Sequence, residues 1–276
     1  MVYRDLLLQL TTYPKPTPDP FIEAAAALAN RFDARLSGVI CQVELPPVSN
    51  FLADRLVGAS AIIAGENAKS SENCRHVEER FRAIVPPASQ GELLPVHCKA
   101  LVSALQIAPH SRVFDLTIAP SFGASEAIAE DLVFDAGRPV LLLPAHDGLP
   151  LFGLDAVVIG WDGGRAAARA VADALPICVL AKSVKVVTIT GEKSLKADLQ
   201  ASLERHLKAH GIQPEMIEHH AEGANAGTEL LEFCRRSGAG ILVMGAYGHS
   251  QFREFILGGV TRTILAAADL PILMSH

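Results

Sequence analysis

The chain has 276 residues, half of them hydrophobic and a fifth charged, with a formal net charge of −6. That length allows one large domain or two ordinary ones. Net charge is −5 over residues 1–147 and −1 over residues 148–276, with no basic stripe, which excludes a general nucleic-acid binder.

The predicted elements alternate between strand and helix from the start. Asp5–Leu10 reads as a strand, Pro20–Asn30 as a helix and Leu36–Cys41 as a strand. A long helix is expected from about Phe51 to Ile84, then a strand over Leu93–Cys98. Short helices near Val102–His110 and Glu126–Phe134 flank the strand Leu116–Ala119, and the strand Pro139–Leu143 follows. Ala145–Gly153, with His-Asp-Gly and a proline, reads as a linker.

The same order then repeats. Strands are expected at Ala156–Trp161, Val184–Thr190, Glu215–His220, Ile241–Met244 and Pro271–Met274. Helices are expected at Arg165–Leu175, Lys196–His210, Ala226–Arg236 and Val260–Ala268. Phe114-Asp-Leu-Thr-Ile-Ala aligns with Ala239-Gly-Ile-Leu-Val-Met, and Arg138-Pro-Val-Leu-Leu-Leu with Leu270-Pro-Ile-Leu-Met. A period this long indicates a duplicated domain rather than a solenoid. The expected domains are residues 1–145 and 154–276. Strands alternating with helices argue for an α/β fold with parallel, doubly wound sheets.

No apolar run approaches the roughly 20 residues that span a bilayer. No signal-peptide pattern precedes the first strand, so the expected location is cytoplasmic, without membrane contact. The five cysteines (Cys41, Cys74, Cys98, Cys178, Cys234) are scattered, with no Cys-x-x-Cys; they read as buried free thiols. No Gly-x-x-x-x-Gly-Lys-Ser/Thr is present, so a P-loop ATPase is not supported. His206 and His210 stand i, i+4 without the zincin glutamate and read as exposed. His219 and His220 point to opposite faces of their strand. Ser250 has no base partner in sequence, and Arg253 and Arg262 are plain candidates for phosphate charge.

The chemistry concentrates after Ile241–Met244. Gly245 follows that strand directly, Gly248 comes next, and Gly258-Gly259 precede the helix that starts at Val260. Glycines at a strand exit let backbone N–H groups approach a ligand. A helix start adds unpaired donors and a positive dipole end. Together they form an anion site of the kind used for phosphate. His249 adjoins this loop, as a phosphate contact or a cap. Asp162, in Ile-Gly-Trp-Asp-Gly-Gly, also follows a strand, in the position where open α/β sheets bind ligands; a simple Asp-Gly-Gly turn is the plain alternative. Trp161, the single tryptophan, is expected to pack against the sheet edge, with flanking a base as the alternative.

On these residues the chain resembles the universal stress protein family in its tandem, two-domain form. The architecture matches throughout, and the motif matches in the second half. Gly245, Gly248 and Gly258 fit the spacing of the family's nucleotide-binding members. Gly259 stands where such members carry Ser or Thr, and Thr261 matches a further hydroxyl position. The resemblance implies that Asp162 accepts from the adenine or ribose end and that backbone at Ile189 and Met244 lines the site. It also implies that Gly248, Gly258, Gly259 and Val260 offer N–H groups to phosphate.

The implied ligand is ATP, carried with Mg²⁺. The implied role is a cytoplasmic stress-response protein, regulatory or adaptor in kind, and at most a slow ATPase. The first half lacks the acid in Gln9-Leu10-Thr11-Thr12 and the paired glycines after Ala119. Glu126-Ala127 stands where the glycine pair should fall. One nucleotide site per chain is therefore expected, with the first half as a pseudo-dimer partner and a homodimer as a further option. The alternatives are a scaffold or dimerisation module joined through Pro139–Leu143 and Pro271–Met274, and a slow hydrolase or phosphotransfer enzyme.

Overall fold

The computed structural model describes residues 2–47, 58–100, 102–121, 126–144, 154–190, 197–221, 225–246 and 259–276. The chain divides into two compact units, Arg4–Ala119 and Pro120–His276 with Met1–Tyr3.

The first unit contains β1 (Asp5–Thr11), α1 (Asp19–Phe32), β2 (Arg35–Glu44), α2 (Ala59–Ile84), β3 (Gln90–Lys99), α3 (Ala104–Ser111) and β4 (Leu116–Pro120). The strands lie in the order β3-β2-β1-β4 and are parallel. Leu6–Leu10 of β1 are all buried, including Gln9, as expected of a parallel strand covered on both faces. Helix α1 has Pro20 in its first turn, where the missing N–H costs nothing. It ends at Asp33, whose left-handed backbone lets its N–H close on the carbonyls of Ala29 and Asn30. Phe21, Ile22, Leu28 and Phe32 carry its buried face.

The second unit holds α4 (Glu126–Asp135), β5 (Val140–Leu143), β6 (Ala156–Gly160), α5 (Arg165–Leu180), β7 (Ser183–Thr190), α6 (Ala197–Ala209), β8 (Pro214–His220), α7 (Ala226–Ser237), β9 (Ile241–Gly245), α8 (Gly259–Ala267) and β10 (Ile272–Ser275). The strand order is β5-β10-β9-β6-β7-β8. Every pairing there is parallel except β5 with β10, which is antiparallel. The architecture is thus the expected α/β fold with a mainly parallel sheet.

Two readings change. Helix α5 runs past Leu175 and through Pro176 to Leu180, because Pro176, Ile177 and Cys178 continue its buried face. Trp161 follows β6, which lies inside the strand order rather than at an edge, and it is 8 % exposed. The linker at 145–153 and the start of the helix expected from Phe51 lie outside the described residues. Among the described residues no helix is long and apolar enough to cross a membrane.

Strand register makes the repeat concrete. Leu6 pairs with Leu116, and Val157 with Ile241. Because Leu116 and Ile241 are repeat equivalents, Gln9 corresponds to Gly160 and Thr11 to Asp162.

Candidate functional site

Strands β6, β7 and β8 run outward in one direction, and β9 and β10 lie on the other side of β6. Strand order therefore reverses between β6 and β9, and ligands in open α/β sheets sit beyond the carboxyl ends at such a switch point. Asp162 follows β6 and Gly245 ends β9, so the two flank it. Ile189 is at the end of β7, half-buried, in the strand next to β6.

Asp162 is exposed, and its carboxylate accepts from the Gly164 N–H at 2.7 Å. This turn leads into α5, whose N-cap is Gly164. The Asp-Gly-Gly turn expected as the plain alternative is therefore present.

The glycines behave differently from one another. A Cβ on Gly245 would lie far inside van der Waals contact with backbone atoms of Ala166 and Ala167. Its bareness lets the first turn of α5 pack on β9. At Gly259, the first residue of α8, a Cβ would meet nothing within 4 Å among the described residues. Gly259 and Val260 are exposed, whereas Thr261 is 4 % exposed and Met244 5 %. The first N–H groups of α8 have no partner within the helix, so the exposed start at Gly259–Val260 is the part available to an anion. Gly248, His249 and Gly258, with Ser250 and Arg253, lie outside the described residues.

Helix α7 begins beside α8. A Cβ on Gly227 would fall 2.9 Å from the Val260 carbonyl oxygen and 3.1 Å from Thr263 Cβ. The Asn225 side chain accepts from the Gly227 N–H at 2.8 Å and caps the helix. One turn on, Glu229 Oε2 is 2.7 Å from His219 Nε2 at the end of β8. The sequence reading placed His219 and His220 on opposite faces, and His220 is indeed exposed while His219 is half-buried. It missed Glu229, because only the β8–α7 turn brings that carboxylate back onto the strand end. A histidine ending a strand, followed by an acid in the first turn of the next helix, is the signal that would find it.

Other candidates settle simply. His206 and His210 are exposed, with ring centroids 4.9 Å apart. Among the described residues no cluster of three or more His, Cys, Asp or Glu could hold a metal ion. Burial pushes the thiols of Cys178 and Cys234 up to about 12, which leaves them inert as nucleophiles.

Residues 153–276 match the Universal stress protein family. No protein of curated function matches the chain. Among solved structures, the chain is similar to a universal stress protein from Archaeoglobus fulgidus, with a TM-score of 0.71 at 14% identity, covering 98% of this chain and 95% of that one. A functionally unknown protein from Pseudomonas aeruginosa also matches, with a TM-score of 0.57 at 14% identity, covering 99% of this chain and 92% of that one. Residues 153–276 are therefore a universal stress protein family domain, and the chain has from end to end the fold of a universal stress protein of similar length.

Proposed function

We propose that the second half binds ATP, with Mg²⁺ carried on the phosphates, and that occupancy regulates the protein's contacts with partners. The observation that carries this reading is the switch point between β6 and β9. The exposed Asp162, the half-buried Ile189 and the exposed start of α8 all stand at the carboxyl end of adjacent strands. In this reading α8, with Gly248 and Gly258 of the preceding loop, takes the phosphates. Asp162 takes the ribose or base, and Ile189 lies against the base. Hydrogen bonds to charged groups contribute about 1.5–3 kcal/mol each. Three or four of them, after association costs, correspond to roughly micromolar binding, near −8 kcal/mol.

The test is calorimetric titration of ATP into the full chain, with Asp162→Asn beside it. Asparagine keeps an acceptor for the Gly164 N–H and removes the charge. ATP binding that weakens about tenfold in Asp162→Asn, with unfolding unchanged, supports the reading. No heat at millimolar ATP and no nucleotide released on denaturation would overturn it.

A scaffold reading is favoured by one observation, the antiparallel pairing of β5 with β10. Under it, Asp162→Asn leaves every binding property unchanged.

A further inference from the structure

We infer that His219, held by Glu229, reads the outer edge of the base and selects an amino-bearing purine. The inference rests on the nucleotide reading above. A ligand whose phosphates sit at the start of α8 extends outward along the rim, past Asp162 after β6 and Ile189 at the end of β7. The next strand is β8. His219 is the register partner of Ile189, so the two stand about 4.8 Å apart across the strands. Side chains alternate along a strand, and Ile189 is two residues beyond Val187. Val187 is the register partner of Gly160, over which Leu230 of α7 packs. His219 bonds Glu229 on the same helix. Ile189 and His219 therefore share the face that α7 covers.

One contact holds the ring, and two more hold the strand end and helix turn that carry the pair. Glu229 Oε2 lies 2.7 Å from Nε2. The Thr190 hydroxyl donates to the His219 carbonyl oxygen at 3.4 Å, tying the ends of β7 and β8 together. The Asn225 cap holds the first turn of α7, and Gly227 sets that turn against α8. A carboxylate only accepts, so a singly protonated ring keeps its proton on Nε2 and leaves Nδ1 as an acceptor. Nδ1 has no hydrogen-bond partner among the described residues, and His219 is 27% exposed at its side chain. An acceptor beside a half-buried apolar platform matches an exocyclic amino group. A keto oxygen in the same place would meet a lone pair. Glu229 is a positioning residue in this scheme, since it acts through the ring.

The experiment compares ATP with inosine triphosphate, which carries a keto group in place of the amino group, by calorimetry in mildly alkaline buffer. Wild type is expected to prefer ATP roughly tenfold. His219→Phe should lose that factor for ATP alone and bring the ratio near one. His219→Leu is the second variant if the ring substitution does not fold. Glu229→Leu should narrow the ratio, a change that loss of packing by itself does not produce. Equal binding of both nucleotides by wild type overturns the assignment, as does an unchanged ratio in a folded His219 variant. Binding of neither nucleotide by wild type overturns the nucleotide reading itself, and the role of His219 falls with it.

Discussion

Gly245 and Gly259 belong to one sequence motif but answer to different constraints. A methyl group at Gly245 would collide with the backbone of Ala166 and Ala167, which cannot swing aside as a flexible side chain can. Gly245→Ala is expected to cost about 3 kcal/mol or more in urea unfolding; a loss under about 1 kcal/mol would show that α5 can shift. A methyl group at Gly259 would meet none of the described residues. Gly259→Ser should leave stability within about 0.5 kcal/mol and, if the start of α8 holds phosphate, raise ATP affinity about fivefold. Unchanged affinity in a stable Gly259→Ser would separate that position from the ligand. The glycine spacing was legible from the chain, because strand exits and helix starts declare themselves locally. The reason for Gly245 was not, since it depends on α5, roughly 80 residues earlier in the chain.

Elements were legible where hydrophobic period and punctuation agree. Gly238 ends α7 in a left-handed cap, as Ser237-Gly238 announces. Boundaries failed where burial overrode a local breaker, as at Pro176 in α5. Side-chain pairings between elements were not legible, and the β8–α7 pair His219–Glu229 is one case. Another joins α1 to α2: Arg80 donates to Asp19 through Nε and Nη2, the latter at 2.7 Å. The Arg80 guanidinium holds the Asp19 carboxyl below its ordinary value of 3.8. A carboxyl depressed in the folded state stabilises above its unfolded value and loses that contribution as pH falls through the lower folded value. Asp19→Asn is thus expected to lower the melting temperature slightly at neutral pH, both partners being partly exposed. The difference from wild type should close once pH falls well below 3.8. A gap that persists in strong acid would assign the effect to something other than the ion pair.

At the scale of the whole molecule, duplication was legible from the matched strand sequences, and register shows how the copies diverged. Thr11 occupies the place of Asp162, and its hydroxyl is within 3.2 Å of the Thr17 hydroxyl. Gln9 occupies the place of Gly160. It is 1 % exposed, and among the described residues neither polar atom of its amide has a hydrogen-bond partner, nor does the nearby Thr117 hydroxyl. An unpaired buried amide is costly, so Gln9→Leu should raise stability by about 1 kcal/mol or more in chemical denaturation. Destabilisation instead would mean that the amide has a partner. The antiparallel β5–β10 pair has a practical consequence for anyone dividing the gene. Val140–Leu143 and Ile272–Met274 are all buried. A fragment cut at residue 154 keeps nearly the whole family match yet leaves β10 with a bare apolar edge. Such an edge seeks another strand, and two copies can satisfy each other through a two-fold antiparallel junction. On size exclusion the fragment 154–276 should elute as a dimer or larger, while one beginning at Pro120 brings its own covering strand and should elute smaller. Where the gene is cut would then decide how many chains assemble.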